Sequence, residues 1–247
     1  MSEQRYASKR LDHSMIERGM TESLEKARAL IMAAQVRVDG QVATTAGQRI
    51  SPDVNIVLEA EPEYYGRGGI KLAHALDHFG LTVKGMKALD IGASTGGFTH
   101  CLLQRGAQRV YALDVGYGQL DYRLRQDQRV TVMERVNARY PFFLEDAVDL
   151  VTVDVSFISL TRVLTSVAGH LGKGGAIVAL VKPQFEARRE EVGKGGVIRD
   201  PVMHARVLGR VIAWAVNNGF RLRDLATSPI TGEKGNREFF LLLSPAS

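Results

Sequence analysis

The chain has 247 residues, 45% of them hydrophobic, enough to fill the core of one large domain or of a small and a medium one. No apolar stretch approaches the roughly 18 residues of a membrane span, MSEQRYASKR lacks the charged-then-apolar layout of a secretory signal, and the single Cys101 excludes an internal disulfide, which suits a reducing cytosol. The net charge of +5 favours an anionic partner, nucleic acid first among them.

A short first domain ends near Glu63. Apolar residues recur at helical spacing over 10–19 and again over 21–34. In VRVDGQVA, Asp39-Gly40 sits between alternating residues, which predicts a tight hairpin, and 53–59 supplies another strand. An acidic and then glycine-rich linker, EAEPEYYGRGG, follows. From Ile70 the pattern changes. A helix over 70–78 precedes a strand over 87–91, and further apolar strands fall at 109–113, 130–133, 150–153, 176–181 and 239–243. Helical segments separate most of them. One is marked at both ends, with Asp200 as its cap, Pro201 in its first turn and Gly219 closing it. Strand and helix alternating in this way predict an α/β domain whose mainly parallel sheet is covered on both faces. The boundaries are 1–63 and 64–247.

The stretch LDIGASTGGFTH holds the first chemical signal. The strand carries Asp90 near its end, and Gly92 to Gly97 lead into a helix. Glycine lets a ligand lie against the backbone, and a helix N-terminus favours a negative group. A nucleotide fits such a turn, as does any ligand with a carboxylate. The dinucleotide pattern G-x-G-x-x-G is absent because Ala93-Ser94-Thr95 intervene, and no Gly-Lys-Ser/Thr of a phosphate loop follows. The next strand ends in Asp114, where an acid can accept hydrogen bonds from two ribose hydroxyls. S-adenosylmethionine has a carboxylate and a ribose and no pyrophosphate. The alternative is a tight strand-to-helix turn with no ligand.

LDIGASTGGFT together with ALDVG resembles the first two motifs of S-adenosylmethionine methyltransferases. GRGGIKL, VTVDVSFISL, IVALVKPQFE and GEKGNREFF narrow the likeness to the TlyA (hemolysin A) family of ribosomal RNA 2′-O-methyltransferases, whose catalytic domain is of the FtsJ/RrmJ type. KRLDHSMIERG and SLEKARALIMAAQVRVDGQV resemble the RNA-binding module named after ribosomal protein S4, so the likeness covers nearly the whole chain. The resemblance implies a Rossmann-like, seven-stranded methyltransferase sheet behind a small α+β S4-like domain. It implies S-adenosyl-L-methionine as cofactor, ribosomal RNA or ribosomal subunits as partner, a cytidine target, a cytoplasmic location and no membrane. It also implies a catalytic tetrad, with Lys71 in GGIKL, Asp154 in VTVDVSF, Lys182 in LVKPQFE and Glu238 in GNREFF. Asp90, Gly92, Ser94, Gly96, Gly97, Phe98, Asp114 and Asn137 are the cofactor candidates. Gly92, Ser94 and Gly96 would line the methionine half and Asp114 the ribose, while Asn137 faces the adenine or closes a turn. Departures from the family pattern lie in the small domain and linker. Ala34-Gln35 stand where a glycine commonly precedes the hairpin, ATTAGQRISPD lacks a Lys-Pro, and Gly66 replaces a common serine. These bear on RNA contacts more than on chemistry.

A ribose 2′-hydroxyl is a weak nucleophile, whereas a sulfonium methyl is already electrophilic, so the reaction needs alignment and proton removal rather than a metal. Lys182 ends an apolar strand at the cofactor edge and is assigned to the 2′-oxygen; Lys71, Asp154 and Glu238 orient it and the ribose. Lysine ordinarily titrates near ~10.4, so a true base requires a lowered value and an electrostatic holder does not. Both roles stay open for Lys182.

Residues 1–63 carry 8 Lys/Arg against 10 Asp/Glu, so bulk charge does not mark the small domain as an RNA binder. Local placement does: Lys9, Arg10, Arg18, Lys26, Arg28, Arg37 and Arg49 are candidates for one basic face. Arg67, Arg123, Arg125, Arg129, Arg188 and Arg189 extend the set, and Lys194, among glycines, belongs to a lid over the RNA or to a surface loop. A target nucleotide would be flipped from its helix to expose the hydroxyl. His74 and His78 share a helix face without the third ligand or the glutamate of a zinc motif, and Cys101 falls on an apolar helix as core. Two rival functions remain. A membrane-active hemolysin requires an export signal and inserting segments that the sequence lacks, and an idle ribosome-assembly factor is opposed by the intact tetrad.

Overall fold

The computed structural model describes residues 8–32, 35–58, 64–193 and 195–246. The chain separates into two compact units, divided between residues 62 and 63.

In the small unit, helices Leu11–Glu17 and Leu24–Met32 accompany a three-stranded antiparallel sheet of Gln41–Val42, Val36–Val38 and Ile56–Leu58, in that order. Asp39 and Gly40 both have positive φ, 49° and 81°, the backbone a two-residue primed turn requires, so the hairpin forms where the sequence predicts it. Leu11, Met15, Ala27, Ile31, Val36 and Ile56 fill its core. A second pairing, Lys9–Arg10 with Arg49–Ile50, is too short to leave a periodic signal.

The large unit is built on seven strands: β1 Lys87–Ile91, β2 Arg109–Asp114, β3 Val130–Glu134, β4 Val148–Val153, β5 Leu171–Val181, β6 Phe220–Thr227 and β7 Phe239–Pro245. Their spatial order is β6-β7-β5-β4-β1-β2-β3. All pairs from β5 to β3 are parallel, and β7 runs against both β5 and β6. Helices α1 (Arg67–His78), α2 (Gly97–Gln104) and α3 (Pro201–Asn217) are the longest of this unit. Alternate residues of each central strand feed two cores. Ala88, Val110, Leu150 and Val178 pack with Leu72 and Leu76 of α1 and Leu102 of α2, while Leu89, Tyr111, Val151 and Ile177 pack with Leu164 and with Val211 of α3. Two-sided burial explains why these strands read as unbroken apolar runs. Truncating one of these fully buried leucines, Leu102→Ala for example, costs about 2–5 kcal/mol. α3 starts as predicted, with the Asp200 carboxylate accepting from Val202 N at 2.9 Å and Pro201 in the first turn; Gly219, at φ 83°, closes it. α1 begins at Arg67, three residues before the sequence places it.

Candidate active site

Lys71 projects from α1, Asp154 directly follows β4, Lys182 directly follows β5, and Glu238 directly precedes β7. Because β7 is antiparallel, its start lies at the carboxyl edge of the parallel strands, where Phe239 pairs with Val181. The four residues named from the sequence therefore meet at one edge. All four line a cavity of about 390 Å³, together with Arg67, Gly92, Ser94, Gly97, Phe98, Ser156, Phe157, Gln184 and Phe185.

Within it the charges form two pairs. Lys71 Nζ donates to Glu238 Oε2 at 2.6 Å, and both side chains are buried. Lys182 Nζ donates to Ser156 Oγ at 2.8 Å and lies 2.6 Å from Asp154 Oδ1. Two ammonium groups and two carboxylates thus share a small cavity, each charge 2.6 Å from its opposite, which offsets the cost of taking them out of water.

A second cavity of about 450 Å³ is lined by Asp114, Gln119, Val136, Asn137, Val155 and Ile158. It shares Gly92, Ser94, Asp154, Ser156 and Phe157 with the first, so the two join beneath the glycine turn. Gly92, at φ 82°, is where the turn passes closest to the neighbouring loop: a Cβ there would overlap the carbonyl oxygen of Asp154. Asp114 is held by two backbone donors, Ser94 N at 2.8 Å and Gly116 N at 2.7 Å, one on each carboxylate oxygen. Each oxygen keeps a lone pair for a further donor. Asn137 lines this cavity, and its Oδ1 accepts from Arg139 N at 3.0 Å in a turn.

Two turn residues are not brought to either cavity. Asp90 is fully buried beneath the turn, where Thr99 Oγ1 donates to it at 2.7 Å and Thr152 Oγ1 at 2.8 Å. Burial pushes its carboxyl up to about 6, against the pull of those two hydroxyls. Gly96, at φ 98°, instead makes room for Leu124. Both brace the turn from behind. Ser156, Phe157 and Phe185 were missed by sequence reasoning, although each sits within three residues of Asp154 or Lys182 in a quoted motif. Phe157 is 91% exposed and its ring lies 4.9 Å from that of Phe185.

Of the basic candidates, Arg67 lines the first cavity and donates to Thr231 O at 2.8 Å. Lys194 lies outside the described residues. In the small unit Lys9 pairs with Glu17 at 2.6 Å, while Arg10 and Arg28 converge on the buried Asp12 at 2.7 and 3.2 Å. Arg18 donates to the carbonyls of Pro52 and Val54, and Arg37 to that of Gly40. These contacts tie the cations to the small unit's own carboxylates and loop carbonyls. His74 and His78 are exposed, His78 lying 3.7 Å from Asp224, and Cys101 is fully buried, with its thiol pushed up to about 12 by that burial.

Comparison with known proteins agrees with this geometry. The family model for FtsJ-like methyltransferases matches residues 64–244, and that for the S4 domain matches residues 9–56. The 16S/23S rRNA (cytidine-2′-O)-methyltransferase TlyA of Mycobacterium tuberculosis is 44% identical over 95% of this chain and 89% of its own length. Hemolysin A of Brachyspira hyodysenteriae is 42% identical over 93% of this chain and 97% of its own. The solved structure of a Streptococcus thermophilus protein, provisionally named a hemolysin, superposes with a TM-score of 0.75 at 43% identity, covering 98% of this chain and 90% of that one. The chain belongs to the FtsJ-like methyltransferase family, in its TlyA (hemolysin A) branch, with an S4 domain ahead of the catalytic unit.

Proposed function

We propose that this protein methylates a ribose 2′-oxygen of cytidine in ribosomal RNA, with S-adenosylmethionine as the donor. The observation that carries the reading is the meeting at Gly92: a cavity holding two amine–carboxylate pairs adjoins, across shared lining residues, a second cavity holding Asp114. The residues present fit the donor. Asp114 offers free lone pairs to a diol, Val136, Val155 and Ile158 offer apolar walls to a base, and the bare Gly92 backbone offers close approach at the join. When bound, the donor supplies an electrophilic methyl on a sulfonium. The chain's own residues supply the rest. Lys182 acts on the 2′-oxygen, holding or taking its proton. Asp154 and Ser156 aim Lys182, and the Lys71–Glu238 pair, in the same cavity, orients the ribose. Water exclusion makes these fixed charges count for more than they would in bulk solvent.

The small unit docks ribosomal RNA, free or within a subunit, and the protein works in the cytoplasm. The S4 family match and the ribosomal RNA substrate named for the Mycobacterium tuberculosis relative support this. Among the described residues no helix is long and apolar enough to cross a membrane. The test is transfer of tritium from labelled S-adenosylmethionine to ribosomal RNA and to purified subunits, followed by mapping of the modified nucleotide. A 2′-O-methylcytidine is expected. Label on a base, on protein or on nothing would overturn the reading.

A further inference from the structure

Two chain segments leave the carboxyl ends of the neighbouring strands β4 and β5, and both feed the first cavity. The 154–160 loop brings Asp154, Ser156 and Phe157; the 182–186 segment brings Lys182, Gln184 and Phe185. Lys182 bridges the two at the cavity. Glu186, one helical turn later, bridges them a second time on the far side. Its Oε2 accepts from Ser159 Oγ at 2.6 Å and its Oε1 from Leu160 N at 2.7 Å. Ser159 in turn caps the short 3₁₀ turn Leu160–Arg162, and Leu160 is fully buried. Glu186 itself lines neither cavity.

Between the two bridges stands Phe157, at φ 62° and with its ring 91% exposed. A bulky residue in the left-handed region is strained by about 1–3 kcal/mol and persists only where its surroundings impose it. Burial of the Phe157 ring imposes nothing here. The loop is tied near both ends, to Lys182 on one side and to Glu186 on the other, with the Phe157 ring set against that of Phe185 between them.

We propose that Glu186 is a positioning residue for the methyl-transfer reaction. By tying Ser159 and Leu160 to the 182–186 segment it fixes the 155–158 stretch around the strained Phe157, and so holds Asp154 and Ser156 where Lys182 meets them. The inference rests on the first cavity being the transfer site. Displacement of a catalytic group by about 1 Å costs on the order of 10²-fold in rate.

Wild type, Glu186→Ala and Glu186→Gln are compared in single-turnover transfer at saturating RNA and S-adenosylmethionine, and by amide hydrogen exchange over residues 155–161. The alanine variant is expected to transfer ~10–100-fold more slowly, to bind S-adenosylmethionine within a few-fold of wild type, and to exchange faster at 159–161. Glutamine keeps a carbonyl for Leu160 N and an amide that donates to the Ser159 hydroxyl, so it should restore both rate and protection. An alanine variant with wild-type rate and exchange overturns the proposal, and so does a glutamine variant as slow as alanine with normal protection. Should Glu186→Ala fail to fold, Glu186→Asp draws the carboxylate back by one methylene and leaves the Ser159 cap on Thr161 N in place: a partial loss of rate with faster exchange supports the anchor, and unchanged exchange overturns it. A wild-type protein that methylates no RNA sinks the proposed function, and the exchange comparison still decides whether Glu186 anchors the loop.

Discussion

Gly92 and Asp154 meet at their backbones: the position a Cβ would take on Gly92 is already filled by the Asp154 carbonyl oxygen. With φ at 82° as well, Gly92→Ala carries both a steric overlap and a backbone penalty, together about 1–3 kcal/mol. Because the contact lies where the two cavities join, the variant should lose S-adenosylmethionine affinity more than tenfold by titration calorimetry. Normal donor binding in a folded Gly92→Ala protein would refute the placement of the donor at this junction.

Lys71 and Glu238 form a buried pair, so removing one partner strands the other. Lys71→Ala should lower stability by about 3–5 kcal/mol in urea denaturation. Lys71→Met combined with Glu238→Gln removes both charges and should recover part of that stability while transfer stays abolished. A double variant no more stable than Lys71→Ala would show that packing, not the uncompensated charge, sets the loss.

The Lys182 side chain is nearly as buried as that of Lys71, but its partner Asp154 is the more exposed of the two carboxylates, so its loss strands a better-solvated charge. Lys182→Ala should slow single-turnover transfer by ~10²–10⁴-fold in a protein that stays folded, with a smaller loss of stability than Lys71→Ala and donor affinity near wild type. Near-normal transfer would remove Lys182 from the chemistry.

Asp90 gives the large unit a pH dependence of identifiable sign. Its folded-state value of about 6 lies above the ordinary 3.8, so between those values the folded protein keeps a proton that the unfolded chain has released. Raising the pH through that window therefore costs stability, on the order of 3 kcal/mol in all, and above it the cost is constant. Asp90→Asn, which can still bond both threonine hydroxyls, should flatten this part of the stability profile. A variant whose denaturation midpoint keeps the wild-type slope from pH 4 to 6 would refute the assignment.

Asp12 behaves in the opposite sense. Arg10, then Arg28, hold its carboxyl far below the usual range against the effect of its burial. Its contribution is present above the ordinary carboxylate value and lost as pH falls through the folded one. In the full-length chain, Asp12→Asn should speed amide exchange across Leu11–Glu17 at neutral pH, where exchange of the β1 and β4 amides stays unchanged.

The central parallel strands were legible because they are buried on both faces, as Val148–Val153 shows. β6 was not: Arg221, Arg223 and Asp224 are exposed on an edge strand, and a bulge between Leu222 and Asp224 breaks the alternation that would have marked it. The start of α1 was hidden by its glycines, poor helix formers taken for linker. Packing overrides propensity there, since the Tyr64 ring occupies the space a Cβ on Gly69 would need. In the site, Asp154 and Lys182 were visible because each terminates an apolar run. The pairing of Lys71 with Glu238 was not, because it depends on β7 entering antiparallel. Asp90 resembles a ligand residue in sequence, but it precedes the end of β1 and its side chain turns inward between Thr99 and Thr152.

Glu238 arrives with β7, 167 residues after the lysine it neutralises. During synthesis α1 and the parallel strands emerge long before their counter-charge does. The Lys71–Glu238 pair, and with it the complete tetrad, can therefore form only when β7 inserts between β5 and β6. A protease that clips off β7 would, by the same logic, silence the enzyme outright rather than leave it half as fast.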